Sequence, residues 1–440
     1  MAITYFKKPM SLLEKTSWPT ACYWGLTLLL FVFLWQLGPL IQIDTPSYLG
    51  HSPQRSALYP LLLQLNNFLF GVGNYQFLAF LQLILGFSAI HFLSFKLKNL
   101  FTLPAWAILP ITFILLTPYF GPTKFGNAIL TEAICYPVFL FAFSSLLEGI
   151  LLKKTQHLLY FLGLTAILIL TRRQFLFLYP IFLVVLFYIF FFNRKFFRVP
   201  LLSICFVFSI LLTNFLERTY TLLKHGHFTT IPFTGIQLII APLYIAEDQD
   251  VIYFKTDEER ILFQKVRQEM HRKHLSLQSL QIVGNSPYIN FSIYNHFSES
   301  YNPICWETLA PMMTSLGMND TFKADKLMTQ MAFILIQNNL VNYLKLYFVN
   351  IAYNLGGWYF NFFLSCLAII TALHYFWKKD SVSLACLLSL MLTGANYSLI
   401  ALVEPVLRRY SIYTDTIQIS MLLVLVMLAL KNNSNHKAYS

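Results

Sequence analysis

Charge is scarce in this chain. Asp, Glu, Lys and Arg make up 11% of its 440 residues, against about 25% in soluble proteins. That figure excludes an ordinary water-soluble domain, as do the 57% of hydrophobic and 17% of aromatic residues. Acids are scarcer than bases, 19 against 31, and the net charge is +12. The basic excess falls in clusters between apolar runs, so it reports topology rather than nucleic-acid binding. No RNA- or DNA-binding motif is present. Cysteine is sparse too. Cys22, Cys135, Cys205, Cys366 and Cys386 lie in apolar runs, and only Cys305 lies in polar sequence. This is no disulfide framework and no metal spacing. No internal repeat or low-complexity stretch stands out.

What the chain has in quantity is long apolar runs. Met1 to Glu14 is basic, but the run after it is too long for a signal-peptide core and lacks a small-residue cleavage site, so it reads as a retained first helix. Ser11-Leu12-Leu13-Glu14 is a capping-box pattern. Span one covers about 21–43, the length needed to cross a bilayer. Residues 57–70 are apolar but short and fit a re-entrant or interfacial helix. Further spans are expected at about 75–95, 103–119 and 131–151. Residues 157–192 are apolar apart from Thr171-Arg172-Arg173-Gln174. One helix of that length would reach about 54 Å, so the stretch must be a hairpin with the Arg pair at its tip. Spans follow at about 199–215, 357–377, 382–403 and 413–430.

The expected fold is therefore an all-α polytopic membrane protein with about ten transmembrane helices, in three parts. Residues 1–215 form an N-terminal transmembrane module that carries the catalytic residues. Residues 216–338 form an outward-facing soluble cap, mixed or helical. Residues 339–440 form a C-terminal transmembrane module. Within the cap, Thr256-Asp257-Glu258-Glu259 opens an amphipathic helix to about His274, and a second helix starts near Asp320. With Lys7, Lys8 and Lys15 inside, alternation puts Lys96, Lys98, Lys153, Lys154, Arg194, Lys195, Arg198, Lys378, Lys379 and Lys431 on the same side. All agree with the positive-inside rule. Both termini are then cytoplasmic, in the cytoplasmic (inner) membrane of a bacterial cell.

The exceptions carry the chemistry. The same topology places Arg55, Lys124, Arg172, Arg173, Arg408 and Arg409 in short loops on the outer face, where basic residues should be depleted. Asp44 and Glu132 share that face, and Glu404 lies four residues before Arg408. Arginine suits bidentate phosphate binding and lysine acts as a point charge. A carboxylate at the mouth of a membrane helix is costly unless it is wet, paired or functional. For any one of these residues a wet loop salt bridge, such as Glu404 with Arg408, or an Asp44 helix cap, is the simpler reading. Their convergence on one face points to a site. Tyr48 and Tyr59 flank it and suit a polar, anionic substrate.

The run Asp44-x-x-x-Tyr48, then Arg55-x-x-Leu58-Tyr59-Pro60-Leu61-Leu62-Leu63, resembles the first outer loop and following helix of GT-C glycosyltransferases. Within them it is most similar to the bacterial branch related to protein O-mannosyltransferases, aminoarabinose transferase and lipopolysaccharide-core sugar transferases. Leu130-Thr131-Glu132 is similar to that family's second acidic motif, and Arg172 before Pro180 also fits. The resemblance covers about residues 20–200, with a weak echo at Asn338-Asn339-Leu340-Val341-Asn342-Tyr343-Leu344. The family's first motif is often Asp-Glu, whereas Thr45 follows Asp44 here. The resemblance implies transfer of a sugar, with inversion, from a polyprenyl-phosphate donor to a glycan, lipid or protein acceptor outside the cytoplasm. Asp44 would be the base, or a ligand with Glu132 if a divalent metal takes part, and Glu132 would orient the acceptor or Asp44. Arg55, Lys124, Arg172, Arg173, Arg408 and Arg409 would hold the donor phosphate, and no other cofactor is expected. The alternatives are a transporter or flippase of an anionic lipid or solute, and a non-catalytic lipid-sugar binding protein. Paired inverted halves, a transporter signal, are not evident.

Lesser candidates read as structural. His225-Gly226-His227 lacks partners at metal spacing, and His271 and His274 read as a solvated basic face. Phe190-Phe191-Phe192 and Trp358-Tyr359-Phe360 read as lipid-facing belts. Gly356-Gly357 reads as a helix break, and Asn396 as lining a cavity or bonding between helices.

Overall fold

The computed structural model describes residues 18–121, 124–193, 198–280, 289–353 and 357–437. Among these no strand forms, and the single β-type contact is a parallel bridge between Leu40 and Ala128. The chain begins with α1 (Trp18–Gln36), the five-residue α2 (Thr45–Leu49), α3 (Leu58–Phe70) and α4 (Gln76–Leu100). It continues with α5 (Ile108–Phe120), α6 (Glu132–Leu151), α7 (Thr155–Thr171), α8 (Leu178–Asn193) and α9 (Arg198–His225). The polar region holds α10 (Thr234–Ile245), α11 (Asp257–Arg272), α12 (Ile289–Asn302), α13 (Ala310–Ser315) and α14 (Thr321–Asn338). The return is α15 (Leu340–Ala352), α16 (Gly357–Lys378), α17 (Ser381–Ala401) and α18 (Arg408–Lys437).

Among the described residues, seven helices are long and apolar enough to cross a membrane. They lie at Gln76–Leu100, Glu132–Leu151, Arg173–Phe191, Val199–His225, Gly357–Lys378, Ser381–Ala401 and Arg408–Leu430. The other three expected spans fall on the shorter apolar helices Ala21–Gln36, Ala105–Phe120 and Thr155–Thr171; the first ends at Gln36, short of the expected 43. The hairpin with Arg172 and Arg173 at its tip is present. Residues 58–70 form a 13-residue helix, too short to cross, which exposes Phe68 at its end.

The central helix is α6, packed between α4 and α7, with α17 and α18 closing against α5 and the α7–α8 turn. One hydrophobic core runs from Leu34 through these helices to Met427. Tyr119 sits fully buried in it, so close to two glycines that a Cβ on Gly86 would lie 1.8 Å from its hydroxyl and one on Gly126 2.6 Å from its ring. Both positions need glycine for this close approach. At the end away from the acidic loops, Glu148 of α6 meets Lys96 of α4 and, at 3.4 Å, His157 of α7.

The polar region is helical among the described residues and has its own core, which includes Ile239, Phe263, Phe297, Met328 and Leu335. The capping box at Thr256 and Glu259 forms, and Asp320 caps α14 by accepting from Phe322 and Lys323. This core also takes in Tyr343 and Leu346 of α15, beyond position 338. At the other boundary, α9 runs on to His225 instead of ending near 215. The charges from Glu217 onward do not break it, because Glu217 is buried and pairs with Arg173. It stops at Gly226, which takes a φ of +78°, as a glycine past a helix C-terminus commonly does. A π-helical stretch, Pro303–Leu309, joins α12 to α13.

His271 is exposed, as expected of a solvated face, and with the buried Arg267 it bonds Asp248, at 2.8 and 3.0 Å. His274 takes a positive φ just past α11. His227 packs on Phe322, centroids 4.2 Å apart. Asn396 bonds the Tyr410 carbonyl and so ties α17 to α18. Phe191 and Tyr359 are exposed. The cysteines among the described residues are unpaired. Ser11–Glu14 and Gly356 lie outside the described residues, while Gly357 opens α16 with a φ of +69°.

Candidate active site

Two loops are laced together to make the site. After α1, the Leu40 N–H donates to the Asn127 carbonyl at 2.8 Å, and the Ile129 N–H returns a bond to Leu40 at 2.9 Å. The Asn127 side chain donates to the Leu34 and Gly38 carbonyls, 2.8 and 2.9 Å away. The fully buried Thr45 hydroxyl donates to the Ile129 carbonyl at 2.9 Å. The segment carrying Asp44 is thereby fixed beside the segment leading into Glu132. Pro46 lies in the first turn of α2, where its missing N–H costs no bond. Asp44 occupies the N-cap position but makes no side-chain cap bond. Its carboxylate is used elsewhere.

Three guanidinium groups surround the two acids. Arg55 donates from Nη2 to Asp44 Oδ1 at 2.9 Å, and Arg409 from Nη2 to Asp44 Oδ2 at 2.8 Å. Arg409 also donates from Nε to Glu132 Oε1 at 2.5 Å, and Arg172 Nη1 lies 2.8 Å from the same oxygen. Glu132 is fully buried at the first turn of α6, where a helix N-terminus also favours an anion. Thr131 donates to Glu132 Oε2 at 3.0 Å and accepts from Arg172 at 3.3 Å. Arg409, on the first turn of α18, thus bridges two carboxylates from different loops. Within the ion-paired set, three cations against two anions leave one positive charge, which Glu404, acted on by Arg172 and Arg409, offsets when it is ionised. The arginine side chains are 18–28% exposed, so this charge is in reach of solvent. Burial acts to raise the pKa of Asp44, but Arg409 and Arg55 outweigh it and hold the carboxyl below its ordinary value.

Tyrosines line the cluster. Arg55 lies over the Tyr48 ring at 4.5 Å and donates to its hydroxyl at 3.2 Å. Tyr59 packs edge-on to Tyr48 and accepts from Gln82 at 3.1 Å, which places it behind Tyr48. Arg172 lies 4.9 Å from the Tyr410 ring.

Of the residues singled out from sequence, Asp44, Glu132, Arg55, Arg172, Arg409 and Tyr48 meet here. Arg173 does not. Extended backbone at Arg172 (φ −158°) splits the pair, and Arg173 reaches Glu217 at 3.6 Å and Thr234 at 3.4 Å. Arg408 is exposed one residue before Arg409, and Lys124 is partly buried in a turn with φ +41°. Among the described residues neither enters the ion-pair network. The Glu404–Arg408 bridge does not form among them either: Arg172, Arg409 and Tyr410 are the groups acting on Glu404. Sequence reasoning missed the lacing by Thr45 and Asn127. It also missed Gln174, whose amide bonds the Asn396 side chain at 2.9 Å and the Tyr410 carbonyl at 2.7 Å. Gln174 was visible only as the polar residue after the Arg pair.

Among the described residues no three His, Cys, Asp or Glu side chains stand together as a metal site. The oxygens of Asp44 and of Glu132 face guanidinium and hydroxyl donors. That set does not suit a divalent cation.

Comparison with protein-family models, curated proteins and solved structures finds no match to this chain. The helices themselves define the class: an all-α, multi-pass membrane protein.

Proposed function

We propose that the protein is a GT-C-type membrane glycosyltransferase that moves a sugar from a polyprenyl-phosphate donor to a glycan, lipid or protein acceptor. One observation carries this reading. Arg55, Arg172 and Arg409, from three distant parts of the chain, are held by two carboxylates, so that the ion-paired set carries one more cation than anions. The cluster sits at the mouth of helices long enough to span a membrane. A lipid-borne phosphate is an anion delivered at that depth, and arginine forks match its oxygens. As the sugar–phosphate bond breaks, charge grows on the leaving phosphate, and pre-placed guanidinium groups stabilise it. The donor phosphate would compete with Asp44 and Glu132 for those groups. The resemblance gives Asp44 the role of base; the pairing of both its oxygens favours that of holding Arg55 and Arg409 in place. Lys124 and Arg408 are left to meet the donor from the rim.

In this reading the chain crosses about ten times, the three short helices included, with both termini cytoplasmic. The site then faces the periplasm or exterior, where a lipid-carried donor replaces nucleotide sugars. The polar region acts as a cap over the site and selects the acceptor.

The test is transfer of label from radiolabelled polyprenyl-phosphate sugars in envelope fractions with and without the protein. Label appearing in an acceptor only with the protein is the expected result. No transfer from any such donor, together with movement of an anionic solute that Arg172→Ala abolishes, would make the protein a transporter.

A further inference from the structure

Asp44 and Glu132 are both committed to guanidinium groups. Sugar transfer to a hydroxyl also needs somewhere for the acceptor proton to go. A third carboxylate lies at the same end of the bundle. Glu404 sits between α17 and α18, outside the membrane helices, in a loop whose backbone is pinned at three points. The Tyr343 hydroxyl donates to the Leu402 carbonyl at 2.6 Å, and the Tyr294 hydroxyl to the Val406 carbonyl at 3.2 Å. The Glu404 N–H itself donates to the Ile400 carbonyl at 2.9 Å. Two of these anchors belong to α12 and α15, so the polar region and the return helix hold this loop in place.

The groups facing Glu404 come from each neighbouring element. Arg172 at the end of α7, with Arg409 and Tyr410 of α18, acts on it from the bundle side. Tyr301 of α12 and Cys305 of the π-helical stretch face it from the cap side. Single-turn π segments recur at functional sites. Among the described residues Glu404 forms no direct ion pair, unlike Asp44 and Glu132. It is partly buried, next to the arginines proposed to take the phosphate yet not consumed by them.

Resting on the glycosyl-transfer reading, we propose that Glu404 is a catalytic residue, the proton acceptor for an acceptor hydroxyl held between the cap and the arginine cluster. In the step, the hydroxyl proton passes to the Glu404 carboxylate as the acceptor oxygen bonds to the anomeric carbon. The bond from that carbon to the phosphate oxygen breaks, and its electron pair leaves with the phosphate, whose added charge faces Arg172 and Arg409. Glu404 then returns its proton to solvent. The titration of the group agrees with this geometry. Burial lifts its pKa to about 7, against the pull of Arg172 and Arg409, near where a base for neutral pH works best.

The experiment uses the full-length protein in lipid nanodiscs and reads two quantities. One is affinity for undecaprenyl phosphate, the bare carrier; the other is the transfer rate between pH 5 and pH 9. In the wild type, transfer should fall as pH drops through about 7, because protonation removes the base. Glu404→Gln should lose about 10²–10⁴-fold in rate and the acid limb with it, while carrier affinity stays within about threefold. Asp44→Asn should instead weaken carrier binding and keep the acid limb. A Glu404→Gln protein with wild-type rate and acid limb overturns the proposal while leaving glycosyl transfer standing. If Glu404→Gln no longer binds the carrier, Glu404→Asp decides. Transfer with an acid limb supports the role, and transfer without one, or none at all despite carrier binding, overturns it. A wild type that transfers from no polyprenyl-phosphate sugar removes the reaction itself, and the role of Glu404 with it.

Discussion

Substituting Arg409 by glutamine should test the cluster most sharply, because this one side chain joins the two acids. Arg409→Gln removes the bond of 2.8 Å to Asp44 and the bond of 2.5 Å to Glu132. Breaking a fully buried ion pair costs about 3–5 kcal/mol. Here Arg409 is 28% exposed, Asp44 keeps Arg55 at 2.9 Å, and Glu132 keeps Arg172 at 2.8 Å. The loss should therefore lie nearer the worth of one charge-assisted bond, about 1.5–3 kcal/mol. The same change takes the ion-paired set from one net positive charge to none. Losing a contact of that size to a donor phosphate lowers affinity about 10- to 100-fold. Asp44→Asn and the double variant complete a cycle. If Asp44 serves to hold Arg409, the second substitution should cost less once the first is made, with a coupling of about 0.5–3 kcal/mol. The readouts are thermal unfolding in nanodiscs and undecaprenyl phosphate binding. Strict additivity of the two substitutions, with unchanged carrier affinity, would refute the bridging role.

Gly86→Ala should destabilise the bundle by about 1–3 kcal/mol, because its new Cβ would meet the buried Tyr119 hydroxyl 1.8 Å away. Tyr119→Leu in the same chain should recover part of the loss, and an unchanged melting temperature for Gly86→Ala would contradict the packing. Asp44 titrates below its ordinary range, so the stability it supplies is present above about pH 4 and is lost as pH falls through the depressed value. The stability gap between wild type and Asp44→Asn should accordingly be open at pH 6 and shrink below about pH 4; a gap independent of pH argues against the pairing. Reporter fusions after Lys154 and Lys379 should read cytoplasmic, and one near Gly226 external. The inverse pattern would put the arginines beside cytoplasmic nucleotide sugars and undo the argument for a lipid-borne donor.

Much of the architecture is legible because the bilayer imposes length and polarity rules on the chain. The tip at Arg172 follows from arithmetic alone, since one helix cannot run from 157 to 192 within a membrane. The caps at Thr256 and Asp320 are local chemistry and are equally readable. Three kinds of feature were not. The extension of α9 depends on Glu217 finding Arg173, a contact between segments far apart in sequence. The division of labour between Arg172 and Arg173 turns on one extended residue, and nothing in the dipeptide says which side chain faces the acids. The register between the Asp44 and Glu132 loops rests on Asn127 and Thr45, whose side chains look like ordinary turn residues until their partners are known. Charge out of place under the positive-inside rule pointed to the residues of the cluster; which of those charges meet was a tertiary matter.

The bond between Asp44 and Arg409 joins positions 365 apart. A ribosome makes about 5–20 residues per second, so the first acid leaves it roughly 20–70 s before its partner is made. Glu132 also waits for Arg409, across 277 residues. During synthesis the first half of the bundle must therefore tolerate acids whose shared cation does not yet exist. A chain ending before α18 would be a membrane protein with an incomplete clamp. Insertion of α18 completes the site, and the enzyme proposed here would acquire its full phosphate-binding charge only once Arg409 has been made.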